Sequence, residues 1–333
     1  MPDDTASQPL ATPRCQDTLA ERLVGILHRA IRELKVTSEE DWKQLEDDTD
    51  PLCPVTLVCV SDTGPLEPRH LPCGDILFHA GNLSTYGSFE EIQATLTWIN
   101  QQPHEHKVVI GGNHDLLLDS FFVDENPGRG LDEPGRRRVN LNWGSIHYLA
   151  HDCIDLALPK RNRSVRIFGS PWTPEYGYSA FQYASGSKWG AEVWNTSVSD
   201  KTDVMLVHGP PMGHLDDGGK GCRGLLGELW RVKPKVLVCG HIRAGRGREL
   251  LIYDRAQELY DGVVLGKNHI WMSAVRLAFL FFWLVAKSLL GRGPSPVITG
   301  QTKRTRIVNA SILGPRSDFG PRNGPRNAMT VII

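Results

Sequence analysis

The first hydrophobic pattern along the chain is that of an amphipathic helix. In "LAERLVGILHRAIREL" the apolar residues recur at the spacing of one helical face. They are Leu19, Leu23, Ile26, Leu27, Ala30, Ile31 and Leu34. In "TSEEDWKQLEDDTD", Thr37 or Ser38 can serve as an N-cap before an acidic first turn. Prolines follow at 51 and 54, so we predict a helical extension over residues 1–53 and a main domain over 54–333.

From Val55 onward the pattern changes to short apolar runs that end in polar, glycine-rich turns. The runs are "VTLVCV", "ILFHA", "KVVIGG", "VMLVH" and "KVLVC". Continuous apolar runs of this length are typical of strands that are buried on both faces. The helical patterns "SFEEIQATLTWINQQ" and "CRGLLGELWRV" lie between them, and "RTRIVNASIL" and "AMTVII" predict closing strands. This order predicts an α/β domain of the layered α+β type.

Polar side chains follow directly after these predicted strands. They are Asp62, Asn82, Asn113, His114, Asp115, His208 and His241. In open α/β sheets, ligands bind at the carboxyl ends of the strands. Any one of these residues alone is more simply a turn cap or a packed histidine, but together they indicate a ligand site.

A helical, apolar insertion is predicted at about residues 254–300. Its most apolar run, "LAFLFFWLVA", covers residues 277–286 between Arg276 and Lys287. A transmembrane helix needs about 18 apolar residues or more, and this run is shorter. We therefore favour a buried or surface-docked helix over contact with a membrane surface, although the aromatic and basic residues suit the latter.

Composition and charge restrict the partners and the compartment. The 333 residues carry a formal net charge of -1, which gives no general attraction to nucleic acid. Seven cysteines without C-x-x-C spacing suit reduced thiols better than a disulfide framework. The polar, acidic start "MPDDTASQPL" lacks the apolar core of a secretory signal. We expect a cytoplasmic protein, with peripheral membrane association as the alternative, and leave the oligomeric state open.

Six segments, taken in order, resemble the calcineurin-like metallophosphoesterases. They are "SDTG", "HAGNLSTYGS", "GGNHD", "GSPWTP", "LVHGPPMGHLD" and "CGHIRAGRG". The closest resemblance is to the small metallophosphoesterase-domain proteins of animals and fungi, with a fungal-type C-terminal insertion. It covers about Val55 to Arg248 and resumes near Thr305. The resemblance implies a β-sandwich flanked by helices, and two divalent metals (Mn, Fe or Zn) whose bridging hydroxide attacks phosphorus.

The resemblance also implies a set of metal ligands. Asp62 matches the aspartate of D-x-H, and Asn113 matches the asparagine of G-N-H-D. His208 matches the family's lone histidine, and His241 the first histidine of G-H-x-H. Asn82 stands where the family has the aspartate that bridges the two metals. An amide has one ligating oxygen and no charge, so it cannot hold two cations as a carboxylate does.

The resemblance implies His114 and Asp115 as catalytic residues, and Arg243, which departs from the family pattern, is a further candidate that could bind a phosphate with two parallel hydrogen bonds. His114 would donate to the leaving group, and Asp115 would orient the His114 ring. Arg243 replaces the last histidine of G-H-x-H, and D-x-H-G is shortened to "DTG". These losses, with Asn82, all affect the first metal site or the bridge, so the active site is degenerate.

Arg243 and a metal in the first site would repel each other. Two unit charges 4 Å apart interact by about 4 kcal/mol at an effective dielectric constant near 20, and a dication doubles that repulsion. We therefore predict that Arg243 pairs with Asp62 and replaces the first metal, leaving one ion in the second site.

Two classes of function follow. The first is a hydrolase of a phosphate ester or related small metabolite, with reduced or altered activity and one or two metal ions, manganese among them. The second is a non-catalytic protein of the same fold that binds an anion or a partner, or an accessory protein of specialised metabolism. Retention of Asn113, His208 and His241 favours the first class, and the three losses favour the second.

Overall fold

The computed structural model describes residues 18–35, 53–64, 68, 70–131, 133–185, 188–195, 197–290, 303–313 and 326–333. Within these ranges the strands are β1 Thr56–Val60, β2 Ile76–Ala80, β3 His106–Ile110, β4 Ile146–Leu149, β5 Asp152–Leu158, β6 Arg163–Ser170, β7 Thr173–Pro174, β8 Gln182–Tyr183, β9 Val204–Val207, β10 Val236–Cys239, β11 Gly247–Ile252, β12 Arg304–Asn309 and β13 Met329–Ile332. The α-helices are α1 Leu19–Lys35, α2 Phe89–Asn100, α3 Ser120–Glu125, α4 Lys188–Val193, α5 Arg223–Val232, α6 Arg255–Val264 and α7 Ile270–Leu289.

The strands form two main sheets. The first has the order β13-β1-β2-β3-β4, and the second β11-β12-β10-β9-β6-β5. Parallel pairing runs from β1 to β4 in the first sheet and through β12, β10, β9 and β6 in the second. The antiparallel partners β13, β11 and β5 lie at the sheet edges. The parallel strands of each sheet therefore end at one common edge.

The two sheets pack face to face with helices outside them. On β1, Leu57 and Cys59 belong to the core between the sheets, whereas Val58 and Val60 pack with α2. On the second sheet, α5 packs over the outer face through residues such as Leu225. Side chains on both faces of these strands are buried, which explains the continuous apolar runs.

This β-sandwich flanked by helices confirms the predicted fold class. The helical patterns after Phe89 and Arg223 form α2 and α5, capped by Ser88 and Cys222. The sequence patterns above did not assign β4, β5, β6 or β11. The candidate N-cap at Thr37 or Ser38 lies outside the described residues. The six described cysteines are free thiols.

Three helices form a separate layer. The predicted amphipathic helix is α1, and it packs with α6 and α7 through Val24, Ile31, Leu259, Leu277 and Leu284. Helix α7 is 20 residues long, twice the length of the apolar run at 277–286. Among the described residues, α7 alone is long and apolar enough to cross a membrane, judged by length and composition.

A buried ion cluster links this layer to the sandwich. His214 lies between two carboxylates, with Nδ1 3.0 Å from Glu249 and Nε2 3.2 Å from Asp261. Arg32 of α1 also pairs with Glu249 at 2.6 Å, and Trp230 of α5 donates to Asp261 at 2.8 Å. Burial by itself would lower the pKa of His214, but the two carboxylates raise it to about 10. His214 is therefore an imidazolium that holds α1, β11 and α6 together.

Close approach between strand ends requires glycine at two positions. A Cβ on Gly112 would overlap Asn82 and the His208 ring, and a Cβ on Gly240 would overlap Ser61. Gly112 lets the turn after β3 approach the turns after β2 and β9, and Gly240 lets the turn after β10 approach the turn after β1, so they set the spacing of the site.

The ion cluster yields a stability prediction. Replacing His214 by alanine leaves Glu249 and Asp261 buried without their shared cation, so we expect a loss of about 3–5 kcal/mol in the free energy of unfolding. Urea unfolding followed by circular dichroism measures this loss. The control is His70→Ala, which removes an exposed histidine, and equal stabilities of the two variants would contradict the role of the cluster.

The same cluster predicts a pH dependence. The pKa of His214 is raised from 6.5 to about 10, so its stabilisation is complete below pH 6.5 and is lost as the pH rises through about 10. Burial would raise the pKa of Glu249, but His214 and Arg32 lower it from 4.5 to about 2. Its contribution is present above pH 4.5 and is lost as the pH falls through about 2. The stability difference between the parent and His214→Ala should therefore shrink from pH 6 towards pH 10, and a constant difference would contradict the assignment.

The packing at Gly112 predicts a matched pair of glycine variants. Gly112→Ala should cost about 1–3 kcal/mol because the new methyl group displaces Asn82 or His208. Gly227→Ala in α5 meets no atom within 4 Å and should stabilise the protein by about 0.5–1 kcal/mol through its higher helix propensity. Thermal unfolding of both variants measures these changes, and a Gly112→Ala variant at least as stable as the parent would show that the crowding at Gly112 is relieved elsewhere.

Candidate functional site

The ends of five parallel strands bring five predicted site residues together. Asp62 follows β1, Asn82 follows β2, and Asn113 follows β3, while His208 follows β9 and His241 follows β10. Hydrogen-bond distances link all five side chains into one cluster. Asn82, Asp62 and Asn113 come from the first sheet, and the two histidines come from the second. The site therefore lies where the carboxyl edges of both sheets meet.

Three ligand-type atoms converge at the centre of the cluster. Asn113 Oδ1 lies 3.1 Å from His208 Nε2 and 3.1 Å from His241 Nδ1. The two imidazole rings are inclined to each other, with centroids 5.0 Å apart. Oxygen and imidazole nitrogen together are a donor set that suits Mn, Fe or Zn.

The protonation state of His208 determines whether its Nε2 is a donor or an acceptor at the centre of the cluster. His208 Nδ1 lies 2.7 Å from the Ala80 carbonyl oxygen, so we assign its N–H to that nitrogen. Burial lowers the pKa of His208, which keeps the ring neutral. Nε2 then carries a lone pair that faces the Asn113 carbonyl oxygen, which is also an acceptor. A cation between these two atoms would satisfy both.

His241 is also neutral. Burial, followed by its neighbour His208, lowers the pKa of His241 to about 3. The ring can present either nitrogen as an acceptor, depending on its tautomer. Neutral imidazole is the form that binds metals. Both histidines are therefore in the right protonation state for a metal ligand.

Asp62 is fully engaged by hydrogen bonds. The hydroxyls of Ser61 and Ser311 donate to Oδ2 at 2.8 and 2.7 Å, and the backbone N–H of His241 donates to the same oxygen at 2.9 Å. The Asn82 amide donates to Oδ1 at 2.9 Å. Burial would raise the pKa of Asp62, but the His208 ring, the Ser311 hydroxyl, Arg243 and Asn82 outweigh it and lower the pKa to about 2. Asp62 is a buried anion with four protein donors, close to the acceptor capacity of a carboxylate.

The orientation of Asn82 follows from its partners. Its Oδ1 accepts the backbone N–H of His114 at 2.9 Å, and its Nδ2 donates to Asp62 and, at 3.3 Å, to Asn113. If the amide oxygen and nitrogen were exchanged, the NH2 group would face the His114 N–H, and the oxygen would face the acceptor oxygens of Asp62 and Asn113. The N–H side of the amide therefore occupies the space between Asp62 and Asn113.

These contacts test the two predicted metal positions separately. The second position fits a cation, because Asn113, His208 and His241 present neutral acceptor atoms to one point. The first position does not fit, because Asp62 is occupied by donors and Asn82 presents N–H. Within the described ranges, no three His, Cys, Asp or Glu side chains form a metal-binding group. The converging set is two imidazoles and one amide.

Arg243 does not form the predicted ion pair with Asp62. It lies half-buried at the start of a 3-10 turn, two residues after His241, and none of the four donors to Asp62 comes from it. Burial raises the pKa of Asp62, and the charge of Arg243, after the His208 ring and the Ser311 hydroxyl, is among the causes that lower it. The prediction of a direct pair is therefore wrong, because Ser61, Ser311 and Asn82 already bind the carboxylate.

The structure gives Asp115 hydrogen-bond partners other than His114. The His114 ring is oriented by the Thr85 carbonyl, which lies 2.9 Å from Nδ1. Asp115 instead accepts from the backbone N–H groups of Leu83, Ser84 and Gly112, and from the Ser84 hydroxyl. The assignment of Asp115 as the orienting partner of His114 is thus corrected. Asp115 joins the turn after β2 to the turn after β3.

Backbone strain is concentrated at the same cluster. Asp62, Asn82 and His241 have φ values of 56°, 58° and 62°, in the left-handed region. Non-glycine residues pay a cost of about 1–3 kcal/mol in such conformations, which cluster at ligand sites. Three strained residues within one hydrogen-bonded group support a functional role.

The sequence analysis missed several residues that surround the cluster. Ser311 follows β12, so the same strand-end rule would have identified it. The hydroxyl of Ser179 donates to the backbone carbonyl oxygen of Asn113, and the Tyr176 ring lies edge-on to His241 at a centroid distance of 6.3 Å. Both lie in an irregular segment, where no periodic pattern points to a site.

Comparisons with known proteins place the chain in a family. No family model matches the chain. It is 35% identical over 270 residues to "Probable rhamnogalacturonate lyase C" of Emericella nidulans, covering 80% of this chain and 24% of that protein. It is 34% identical over 200 residues to the human "Metallophosphoesterase domain-containing protein 1", covering 57% of this chain and 61% of that protein. The chain thus spans about a quarter and about three fifths of these two relatives.

A third relative is matched over more of its own length. The chain is 34% identical over 208 residues to a UPF0046 protein of Caenorhabditis elegans, covering 58% of this chain and 70% of that protein. The chain therefore belongs to the family of the UPF0046 and metallophosphoesterase domain-containing proteins.

Proposed function

We propose that this chain is a metal-dependent hydrolase of small phosphate esters that binds one divalent cation and turns over slowly. The observation that carries the proposal is the pair of facing acceptors, His208 Nε2 and Asn113 Oδ1, 3.1 Å apart. Two lone pairs at this distance repel each other unless a cation lies between them. The long match to the Emericella nidulans protein supports placing the chain in a fungal branch. The lyase named for that protein is not proposed here, because the match covers 24% of it.

One cation would be held by Asn113, His208 and His241. Manganese, iron and zinc all suit this donor set. When bound, such a cation would neutralise charge on the phosphate oxygens. The first metal position is degenerate, since the Asn82 amide and two serine hydroxyls already satisfy Asp62.

Two side chains of the chain itself would act on the substrate. Arg243 carries a permanent positive charge beside His241 and can bind phosphate oxygens with two parallel N–H groups. His114 keeps Nε2 for the substrate, because its Nδ1 is taken by the Thr85 carbonyl. As an imidazolium, with N–H on both ring nitrogens, it would pass the Nε2 proton to the leaving oxygen and become neutral imidazole. His114 lies beside the cluster, since its backbone N–H donates to Asn82 Oδ1 at 2.9 Å.

The competing function is a binding protein without catalysis. It is favoured by the hydrogen bonds to Asp62, which occupy both oxygens that a first metal would need. A protein with one cation and Arg243 could retain a phosphate ester without cleaving it. Product formation separates the two functions, since only the hydrolase releases alcohol and phosphate.

Metal stoichiometry is the first test. After loading with manganese and gel filtration, elemental analysis should find one Mn per chain. His208→Ala should weaken binding at least ~10-fold, because it removes a ligand. The control His269→Ala removes an exposed histidine that makes no capping bond, and it should bind like the parent. Two Mn per chain would contradict the single-cation proposal, and none at millimolar manganese would leave only the binding protein.

Restoring the family residues is the second test. Asn82→Asp with Arg243→His supplies a bridging carboxylate and removes the repelling charge, so a second Mn should bind. Hydrolysis of p-nitrophenyl phosphate and bis(p-nitrophenyl) phosphate should rise at least ~10-fold, or about 1.4 kcal/mol in transition-state stabilisation. The matched control makes the same exchanges at exposed positions, Asn142→Asp with Arg255→His. An unchanged metal content and rate in the first variant would reject the idea of a degraded two-metal site.

A further inference from the structure

The exposed apolar surface of the protein is concentrated on two helices. Among the described residues, eleven of the seventeen exposed large apolar side chains lie on α1 or on α7 and its C-cap residue. On α7 and its cap they are Trp271, Met272, Val275, Phe279, Phe282, Trp283, Leu289 and Leu290. On α1 they are Leu19, Leu23 and Ile26. Apolar side chains scattered singly need no explanation, but a contiguous group marks an interaction surface.

The exposed residues of α7 form one continuous stripe. At 100° per residue, the eight positions fall within an arc of roughly 120°, and Ala286 lies inside the same arc. The opposite face carries Leu277 and Leu284, which are buried against α1 and α6. The helix is thus apolar on both faces, and only one face is covered by the protein.

The charges on α7 lie along one border of this stripe. Around the helix axis, Arg276 and Lys287 lie next to Trp283 at the edge of the stripe. Helix α7 contains no acidic residue. Lys287 Nζ lies 4.1 Å from the centroid of the Trp283 ring. Tryptophan rings prefer the level of lipid headgroups, and a lysine or arginine at the border of an apolar face can extend to anionic phosphates. Aromatic side chains beside bordering cations are the composition of a helix that lies in a membrane interface.

We propose that the exposed face of α7, together with the exposed apolar side chains of α1, docks in the interface of a phospholipid bilayer that contains anionic lipids. The helix lies in the plane of the membrane. A crossing orientation is disfavoured because α1 packs along α7 and carries the exposed charges Arg22, Arg29 and Glu33. Crossing would bring these charges into hydrocarbon, where charged side chains are costly.

The proposal concerns an interaction surface and is independent of the metal site. It revises the interpretation of the apolar run at 277–286, which from sequence alone favoured a buried or surface-docked helix over membrane contact. The stripe is longer than that run, since it begins at Trp271 and ends at Leu290.

Vesicle flotation tests the proposal. The full chain should float with vesicles of phosphatidylcholine and phosphatidylserine in a ratio of about 4:1, and roughly tenfold more weakly with phosphatidylcholine alone, since two cations border the stripe. Phe279→Gln with Phe282→Gln should reduce binding to the mixed vesicles at least tenfold. Both side chains are exposed, so the melting temperature should stay that of the parent.

A matched control removes exposed apolar side chains elsewhere. Phe121→Gln with Val139→Gln changes side chains that are 69% and 86% exposed and lie outside the helical layer. This variant should float like the parent. Equal losses in the two double variants would overturn the proposal, because binding would then not depend on α7.

Three further outcomes would overturn it. Flotation that survives the Phe279 and Phe282 changes would mean that another surface binds lipid. The parent protein could fail to bind either kind of vesicle and be a dimer by light scattering. If the Phe279 and Phe282 substitutions then convert this dimer to monomers, the stripe is an interface between two copies. Protein that resists extraction from vesicles by alkaline carbonate would indicate a helix that crosses the bilayer.

Discussion

The hydrogen bonds to the Asp62 carboxylate are the interaction on which the site depends. The donors come from the ends of β1, β2, β10 and β12, so a single buried anion joins both sheets at their carboxyl edge. Breaking this arrangement would leave a buried charge without partners, which is far more costly than the loss of one neutral hydrogen bond. The same donors occupy the oxygens that a first metal would need. One constraint therefore both stabilises the sandwich and limits the chemistry.

The two halves of the cluster differ in electrostatic character. Around Asp62 the protein supplies N–H and O–H groups, which take the place of a cation. Around Asn113 it supplies acceptor nitrogens of His208 and His241, which can bind a cation. The Asn82 amide separates these regions because its nitrogen faces both Asp62 and Asn113. The Asn113 side of the cluster is the part to which our proposal assigns a single cation, with Arg243 as additional positive charge nearby.

The helical layer gives the protein a second surface with different properties. The His214 cluster anchors α1 and α6 to the sandwich through buried charges, while α7 is held mainly by apolar contacts. The outer face of α7 remains apolar, and it is bordered by cations rather than by acids. Exposing a contiguous apolar face to water is unfavourable, so such a face indicates an interaction surface that a partner covers.

The sequence by itself determined the α/β sandwich, helix α1 and five of the residues at the site, namely Asp62, Asn82, Asn113, His208 and His241. Continuous apolar runs identify buried strands, and parallel strands bring their carboxyl ends to one edge wherever they lie in the chain. Only the tertiary structure decided what those residues do. Ser311 reaches Asp62 across 249 positions of sequence, and this contact, with Ser61 and Asn82, displaces the expected partner Arg243. Hydrogen bonds depend on distance and direction in space, so the residue types at strand ends could predict a site but not its orientation or its charge.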